Sequence, residues 1–462
     1  MAEHYHAKHG KTPGSVIAVR IVIIVLVAAL LAGGAWGVFR FVINPAMTAP
    51  TEPNIPTIAQ EVTLQPIPTH PPTEAAPDYD KMASDTLSKM SLDEKIAQRF
   101  VVTPETLTGV DVAVLAGDTT REMLEKYPVG GIIYTTPNME DKDQLKELVF
   151  KTQSYSKLPL IICVDEEGGD VARVADALDE EKLEPMFSYK DEDVSVAKKN
   201  AKTIASYLTK YGFNTDLAPV ADVWTNKDNT VIAERAYSDD YQKAAERVAA
   251  AVKGYDESGI AATLKHFPGH GDSAEDSHDE IAILDKTYDE IKDAELLPFK
   301  QGIKAGADMV MIGHISVPSL DEEKPATLSK TIVPDILRKD MKYDGVVISD
   351  SLTMGALVEN YTTDEIVQGL FDADIDLFLM PGDLDEYIGA INTALENKTV
   401  TEDQIDKKVA RILKMKYERG IIPTEQSSSQ KSTQPSTQSS TQPETQPATQ
   451  PATQPSTKEP NE

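Results

Sequence analysis

The chain has 462 residues, with 75 Asp and Glu against 45 Lys and Arg, and a formal net charge of −30. So large an acidic excess argues against binding nucleic acid or an anionic membrane surface, and mainly keeps the chain soluble. A single cysteine, Cys163, excludes an intramolecular disulfide and disfavours a structural zinc site.

In chain order, residues 1–20 carry Lys8, Lys11 and Arg20 and precede an uncharged apolar run over 21–39. That run is long enough to cross the hydrocarbon core as a helix, and its positive flank favours a cytoplasmic N-terminus. A single-pass anchor over 21–43 is expected, with the bulk of the chain extracytoplasmic. The alternative is a signal peptide cut near the small residues 32–37, giving a secreted protein. Residues 44–79 are rich in Pro and Thr and read as an extended spacer. Residues 423–462 are nearly all Ser, Thr, Gln, Pro and Glu, with Thr-Gln-Pro starting at 433, 441, 445, 449 and 453, and are expected to stay disordered.

Between these ends, over 80–422, short β-rich runs are predicted at 99–103, 131–135, 160–164, 215–220, 262–266, 309–314, 345–349 and 377–380. Helical stretches are predicted at 142–156, 193–211, 241–258, 288–305 and 364–373. This alternation points to an α/β fold, a (β/α)8 TIM-type barrel forming a single catalytic domain. A doubly wound sheet is the rival, but no Gly-rich phosphate loop follows the first strand. Cys163 falls in the third apolar run and is expected to be a buried core thiol.

Polar residues gather at the C-terminal ends of these runs, where a barrel places its active site: Asp165, Asp222, Lys265, His266, His314 and Asp350. The densest signal is Lys265-His266-Phe267-Pro268-Gly269-His270-Gly271, followed by Asp276-Ser277-His278. A strand running into a Gly-rich loop with several His and Asp residues has the character of an active-site loop. A carboxylate at Asp276 can fix the tautomer of His278 and raise its basicity, which suits proton transfer. Metal ligation and a purely structural role stay open, although the His spacing matches no standard zinc pattern. For Asp350 the plain alternative is a helix N-cap.

On these motifs, together with Asp165-Glu166-Glu167-Gly168-Gly169, Arg173 and Gly345 to Met354, the chain resembles glycoside hydrolase family 3, and within it the β-N-acetylglucosaminidase branch. The resemblance covers about 80–420 and implies a retaining exo-β-N-acetylglucosaminidase acting on terminal N-acetylglucosamine of wall-derived or chitin-type glycans. It implies Asp350 as nucleophile, His278 as acid/base and Asp276 as the group orienting His278. It further implies Asp165, Arg173, Arg235, Lys265 and His266 as sugar-binding residues, with His270 buttressing the loop. No cofactor or metal is implied, the partner is the glycan, and a monomer without a second sandwich-like domain is expected. Asp170 departs from the usual basic or polar residue after the Gly pair. A family 3 β-glucosidase or β-xylosidase, a glycoside phosphorylase, or a non-catalytic wall-binding surface protein are the alternatives.

Overall fold

The strands that carry the polar ends close on one another in a computed structural model that describes residues 77–273 and 281–424. They are β1 (Phe100–Val102), β2 (Gly131–Ile133), β3 (Ile161–Val164), β4 (Thr215–Asp216), β5 (Ala261–Phe267), β6 (Met309–Ile312), β7 (Val346–Ser349) and β8 (Phe378–Leu379). Every neighbouring pair is parallel, in the order β7-β6-β5-β4-β3-β2-β1-β8. A parallel bridge between Ile348 and Leu377 joins the two ends and closes the barrel.

Alternation along each strand builds two cores, because successive side chains point to opposite faces. Val101, Ile133, Ile161, Cys163, Leu217, Met309, Met311, Val346, Ile348 and Leu379 pack together inside the barrel. Ile412 and Met415, from the helix Glu402–Glu418, join this inner cluster. Phe100, Ile132, Ile162, Leu264, Val310 and Val347 instead pack outward in the larger cluster that includes helix residues. Strands buried on both faces explain why they read as continuous apolar runs. Cys163 is fully buried, and burial pushes its thiol well above the ordinary range.

Helix ends follow local chemistry. Asp240 caps the helix Tyr241–Glu257 by accepting from Lys243 N at 2.9 Å, and Thr362 with Glu365 forms a reciprocal cap on Thr363–Asp372. The stretch expected as one helix over 288–305 is two, Tyr288–Lys292 and Leu296–Ala305. Pro298 is the reason: it has no N–H and would clash with a preceding carbonyl in a continuous helix, but fits in the first turn of a new one. Between β6 and β7 runs a wide helix, Ile332–Asp340, that the pattern did not announce, and Leu384–Glu396 and Glu402–Glu418 follow β8.

Among the described residues no helix is long and apolar enough to cross a membrane. The expected anchor, most of the spacer and nearly all of the tail lie outside the described residues. So do Asp276 and His278.

Candidate active site

At the C-terminal end of β3 the chain turns into a short antiparallel ribbon, Glu166–Gly168 against Val171–Ala172. This turn sets Asp165 and Glu167 beside β5, whose residues include Lys265 and His266. Lys265 Nζ lies 2.6 Å from Asp165 Oδ1 and 2.6 Å from Glu167 Oε1. Arg235 grips the same Glu167 with two contacts, Nε to Oε2 and Nη2 to Oε1, each 2.8 Å. Two cations and two carboxylates thus form one quartet around Glu167, in which Glu167 and Lys265 are buried and Asp165 and Arg235 half-buried. Burial alone would raise the Glu167 carboxyl, but Arg235 and Lys265 hold it well below the usual range. Burial would likewise lower Lys265, yet Asp165 and Glu167 raise it above its ordinary value, so it stays a cation.

A second knot centres on Asp222, just past β4. Asp222 Oδ1 accepts from His270 N at 2.7 Å, and its Oδ2 lies 2.7 Å from His266 Nδ1. Both oxygens also accept from His266 N. With Nδ1–H directed at a carboxylate, the ring presents Nε2 as its other working nitrogen. Burial opposes the charge on Asp222, but His266 draws its carboxyl below the ordinary value. His270 is fully buried; Asn229 Nδ2 donates to its carbonyl at 2.8 Å, and Ser273 Oγ lies 2.7 Å from its Nδ1. Burial pushes the His270 ring down, toward the neutral form. The loop runs so close to the β4 end that a Cβ at Gly271 would meet Val223 O at 2.0 Å, so only glycine fits.

Across the mouth, Asp350 follows β7. Its N–H donates to Ile312 O at 3.0 Å, and its Oδ1 accepts from Ser351 N at 2.7 Å. Burial would raise this carboxyl, but the rings of His266 and His314, the Ser351 N–H and Lys265 together hold it below its ordinary value. It is therefore an ionised carboxylate at neutral pH, as a nucleophile must be.

The geometry brings together Asp165, Lys265, His266, Arg235 and Asp350. Arg173 is exposed at the start of the helix Arg173–Leu178 and makes no hydrogen bond or ion pair with a described residue. Asp170 is exposed. The sequence marks Asp222 only as a polar residue at the active end of the barrel and Glu167 only as part of the Asp165 to Gly169 motif; the structure makes both of them hubs. Their signal was present, a carboxylate at the end of an apolar strand, but the partners that make them hubs lie far away in the chain.

The family model described as glycosyl hydrolase family 3 N terminal domain matches residues 91–415. A protein named β-hexosaminidase A from Pseudoalteromonas piscicida is 32% identical over 324 residues, 64% of this chain and 54% of its own length. A β-hexosaminidase of Stenotrophomonas maltophilia (strain K279a) is 34% identical over 278 residues, 59% of this chain and 82% of its own. Among solved structures, a family 3 β-N-acetylglucosaminidase from Paenibacillus sp. str. FPU-7 superposes with a TM-score of 0.68 at 31% identity, covering 72% of this chain and 63% of that one. The chain spans about half the length of the first of these relatives. With a closed eight-stranded barrel and a family match running from before β1 to beyond β8, this chain belongs to glycosyl hydrolase family 3, through that family's N terminal domain.

Proposed function

We propose that this protein is a retaining exo-β-N-acetylglucosaminidase that removes terminal N-acetylglucosamine from glycans. The observation that carries this reading is Asp350, an ionised carboxylate just past β7 whose charge is favoured by Lys265 of β5. The names β-hexosaminidase and β-N-acetylglucosaminidase carried by relatives support the choice of sugar.

Oδ1 of Asp350 is engaged by the Ser351 N–H, so Oδ2 is the oxygen that attacks the anomeric carbon. The C1–O bond to the leaving group breaks, and its electron pair goes to the departing oxygen. That oxygen takes a proton from His278, which Asp276 orients. Water then adds to C1 while His278 takes a water proton, and the ester bond breaks to return Asp350 as carboxylate. Two inversions give net retention. Asp165 accepts from ring hydroxyls while Lys265, Arg235 and His266 donate to hydroxyl or acetamido oxygens, and the resemblance adds Arg173 as a further donor.

The apolar run at 21–39 and the Pro/Thr spacer support an enzyme held outside the membrane, acting on wall-derived or chitin-type fragments. The test is hydrolysis of p-nitrophenyl β-N-acetylglucosaminide beside the β-glucoside, with Asp350→Asn as control and with and without phosphate. Turnover of the acetamido sugar, lost in Asp350→Asn, is expected. A preference for the glucoside, or a requirement for phosphate, would move the protein to another activity on the same barrel.

A further inference from the structure

In the chain, Asp276 and His278 lie between two described residues that meet directly. Asp272 follows the Gly271 turn on the entry side, Lys286 stands on the exit side, and Lys286 Nζ lies 2.8 Å from Asp272 Oδ2. The proposed reaction gives neither of them a role. Lys286 also donates to Glu295 Oε1 at 2.5 Å and to Tyr241 OH at 3.2 Å. Tyr241 OH donates to the same Glu295 oxygen at 2.7 Å. Burial opposes the Lys286 charge, but Asp272 and Glu295 raise it above its ordinary value. The ammonium is thus a cation held between two carboxylates.

Each flank is also tied to the barrel. On the entry side Asp272 Oδ1 accepts from Thr225 Oγ1 at 2.5 Å, and Asn226 Nδ2 donates to Asp272 O and Ser273 O, each at 3.3 Å. On the exit side Leu284 N donates to Ser316 O at 2.8 Å, and Ser319 Oγ donates to Lys286 O at 2.6 Å. Glu295 packs against the turn that leads to Asp272: a Cβ at Gly269, whose φ is +130°, would meet Glu295 Cβ at 2.8 Å. Tyr241 opens the helix Tyr241–Glu257, and Glu295 precedes the helix Leu296–Ala305. Both helices pack on β5. One ammonium therefore joins the two flanks to each other and to two elements of the barrel wall.

We infer that Lys286 is a positioning residue for the acid/base: it clasps the entry at Asp272 to the exit and anchors both through Glu295 and Tyr241. This rests on the proposed acid/base role of His278. A proton donor works only within hydrogen-bond reach of the leaving oxygen, and a misplacement of about 1 Å can cost ~100-fold. Without Lys286, the Asp272 and Glu295 carboxylates lose the cation between them and repel one another, so the entry loses its tie to the exit. The contacts that hold Asp350, Asp165, Glu167, Lys265 and Arg235 do not pass through Lys286. The loss therefore falls on proton transfer rather than on nucleophilic attack or sugar binding.

The experiment reads the dependence on the leaving group. Phenyl β-N-acetylglucosaminide needs the proton to release its phenol, whereas the p-nitrophenyl compound leaves readily without it. The parent, Lys286→Met, Lys286→Arg and Asp272→Asn are assayed on both for kcat/KM, which covers the steps up to release of the first product. In Lys286→Met, kcat/KM should fall ~10- to 100-fold further on the phenyl than on the p-nitrophenyl substrate. Lys286→Arg keeps the cation and should restore most of the parent ratio. Asp272→Asn removes only the entry charge and should move the ratio in the same direction by less. It is the deciding variant if Lys286→Met melts at a much lower temperature. An equal fall on both substrates, or no fall, in a folded variant of an active parent would overturn the inference and spare the functional reading. Undiminished turnover of the phenyl substrate by His278→Ala would overturn both the inference and the proposed acid/base.

Discussion

Glu167 holds Arg235 through two parallel contacts of 2.8 Å each, and the same carboxylate reaches Lys265 at 2.6 Å. Its side chain is only 2% exposed, so it touches little beyond these partners. Glu167 is thus the fixed point that positions Arg235 and Lys265, the two donors proposed for the sugar.

Replacing it as Glu167→Gln leaves two buried cations short of one counter-charge. Removing one partner of a buried ion pair costs about 3–5 kcal/mol. Chemical denaturation should show a loss of that order. Because Arg235 and Lys265 lose their aim, KM should rise more than kcat falls. An unchanged KM would show that these donors do not contact the sugar.

Asp222→Asn addresses the second knot. The carboxylate accepts from His266 Nδ1 and from the backbone N–H groups of His266 and His270, and an amide cannot serve all of these. Each hydrogen bond to a charged group contributes about 1.5–3 kcal/mol, so kcat/KM should fall ~10- to 100-fold. Steady-state kinetics on the acetamido substrate checks this, and full activity would show that the His266 tautomer is immaterial.

Glu166 gives stability a pH signature. It is fully buried, accepting from Val174 N at 2.7 Å, Ala175 N at 3.1 Å and Tyr207 OH at 2.8 Å. Burial pushes its carboxyl from 4.5 up to about 7. Between those values the native protein keeps a proton that the unfolded chain has lost. Its contribution is therefore complete below pH 4.5 and disappears as pH rises through about 7. At ~1.4 kcal/mol per pH unit the loss is about 3 kcal/mol. Denaturation midpoints measured across this window should fall with pH in the parent and flatten in Glu166→Gln; parallel slopes would show that Glu166 titrates normally.

Much of this was legible in the chain. The alternation of apolar runs and helical stretches located each barrel strand to within a few residues, because strands buried on both faces leave no polar position to blur the signal. Gly345 to Asp350 announced itself in the same way, as an apolar strand ending in a charge. The roles of Glu167 and Asp222 as hubs were not legible, since a carboxylate becomes a hub only through partners brought in by the fold. Arg235 meets Glu167 from 68 residues away, and Lys265 meets Asp165 from 100. The break before Pro298 was local, yet the apolar spacing on both sides of it reads as one helix.

The opposite pole of the barrel offers a control for stability without function. Asp376 is fully buried and accepts from Arg338 Nη2 at 2.6 Å, Arg411 Nη1 at 2.8 Å and Val347 N at 2.8 Å. The N-terminal ends of barrel strands serve stability rather than chemistry. Asp376→Ala should cost about 3 kcal/mol, because Arg338 and Arg411 keep only Asp374 as counter-charge and the Val347 N–H loses its acceptor, with KM unchanged in the protein that remains folded. A change in KM at constant stability would contradict this division of labour.

On the proposed function, Asp350 forms the covalent bond to the sugar. A slow fluorinated N-acetylglucosaminyl fluoride should trap that intermediate, and peptide mapping by mass spectrometry should locate it. One sugar on the peptide containing Asp350, and none in Asp350→Asn, is the expected result. A sugar carried on any other residue, or rapid turnover with inverted product and no adduct, would contradict it.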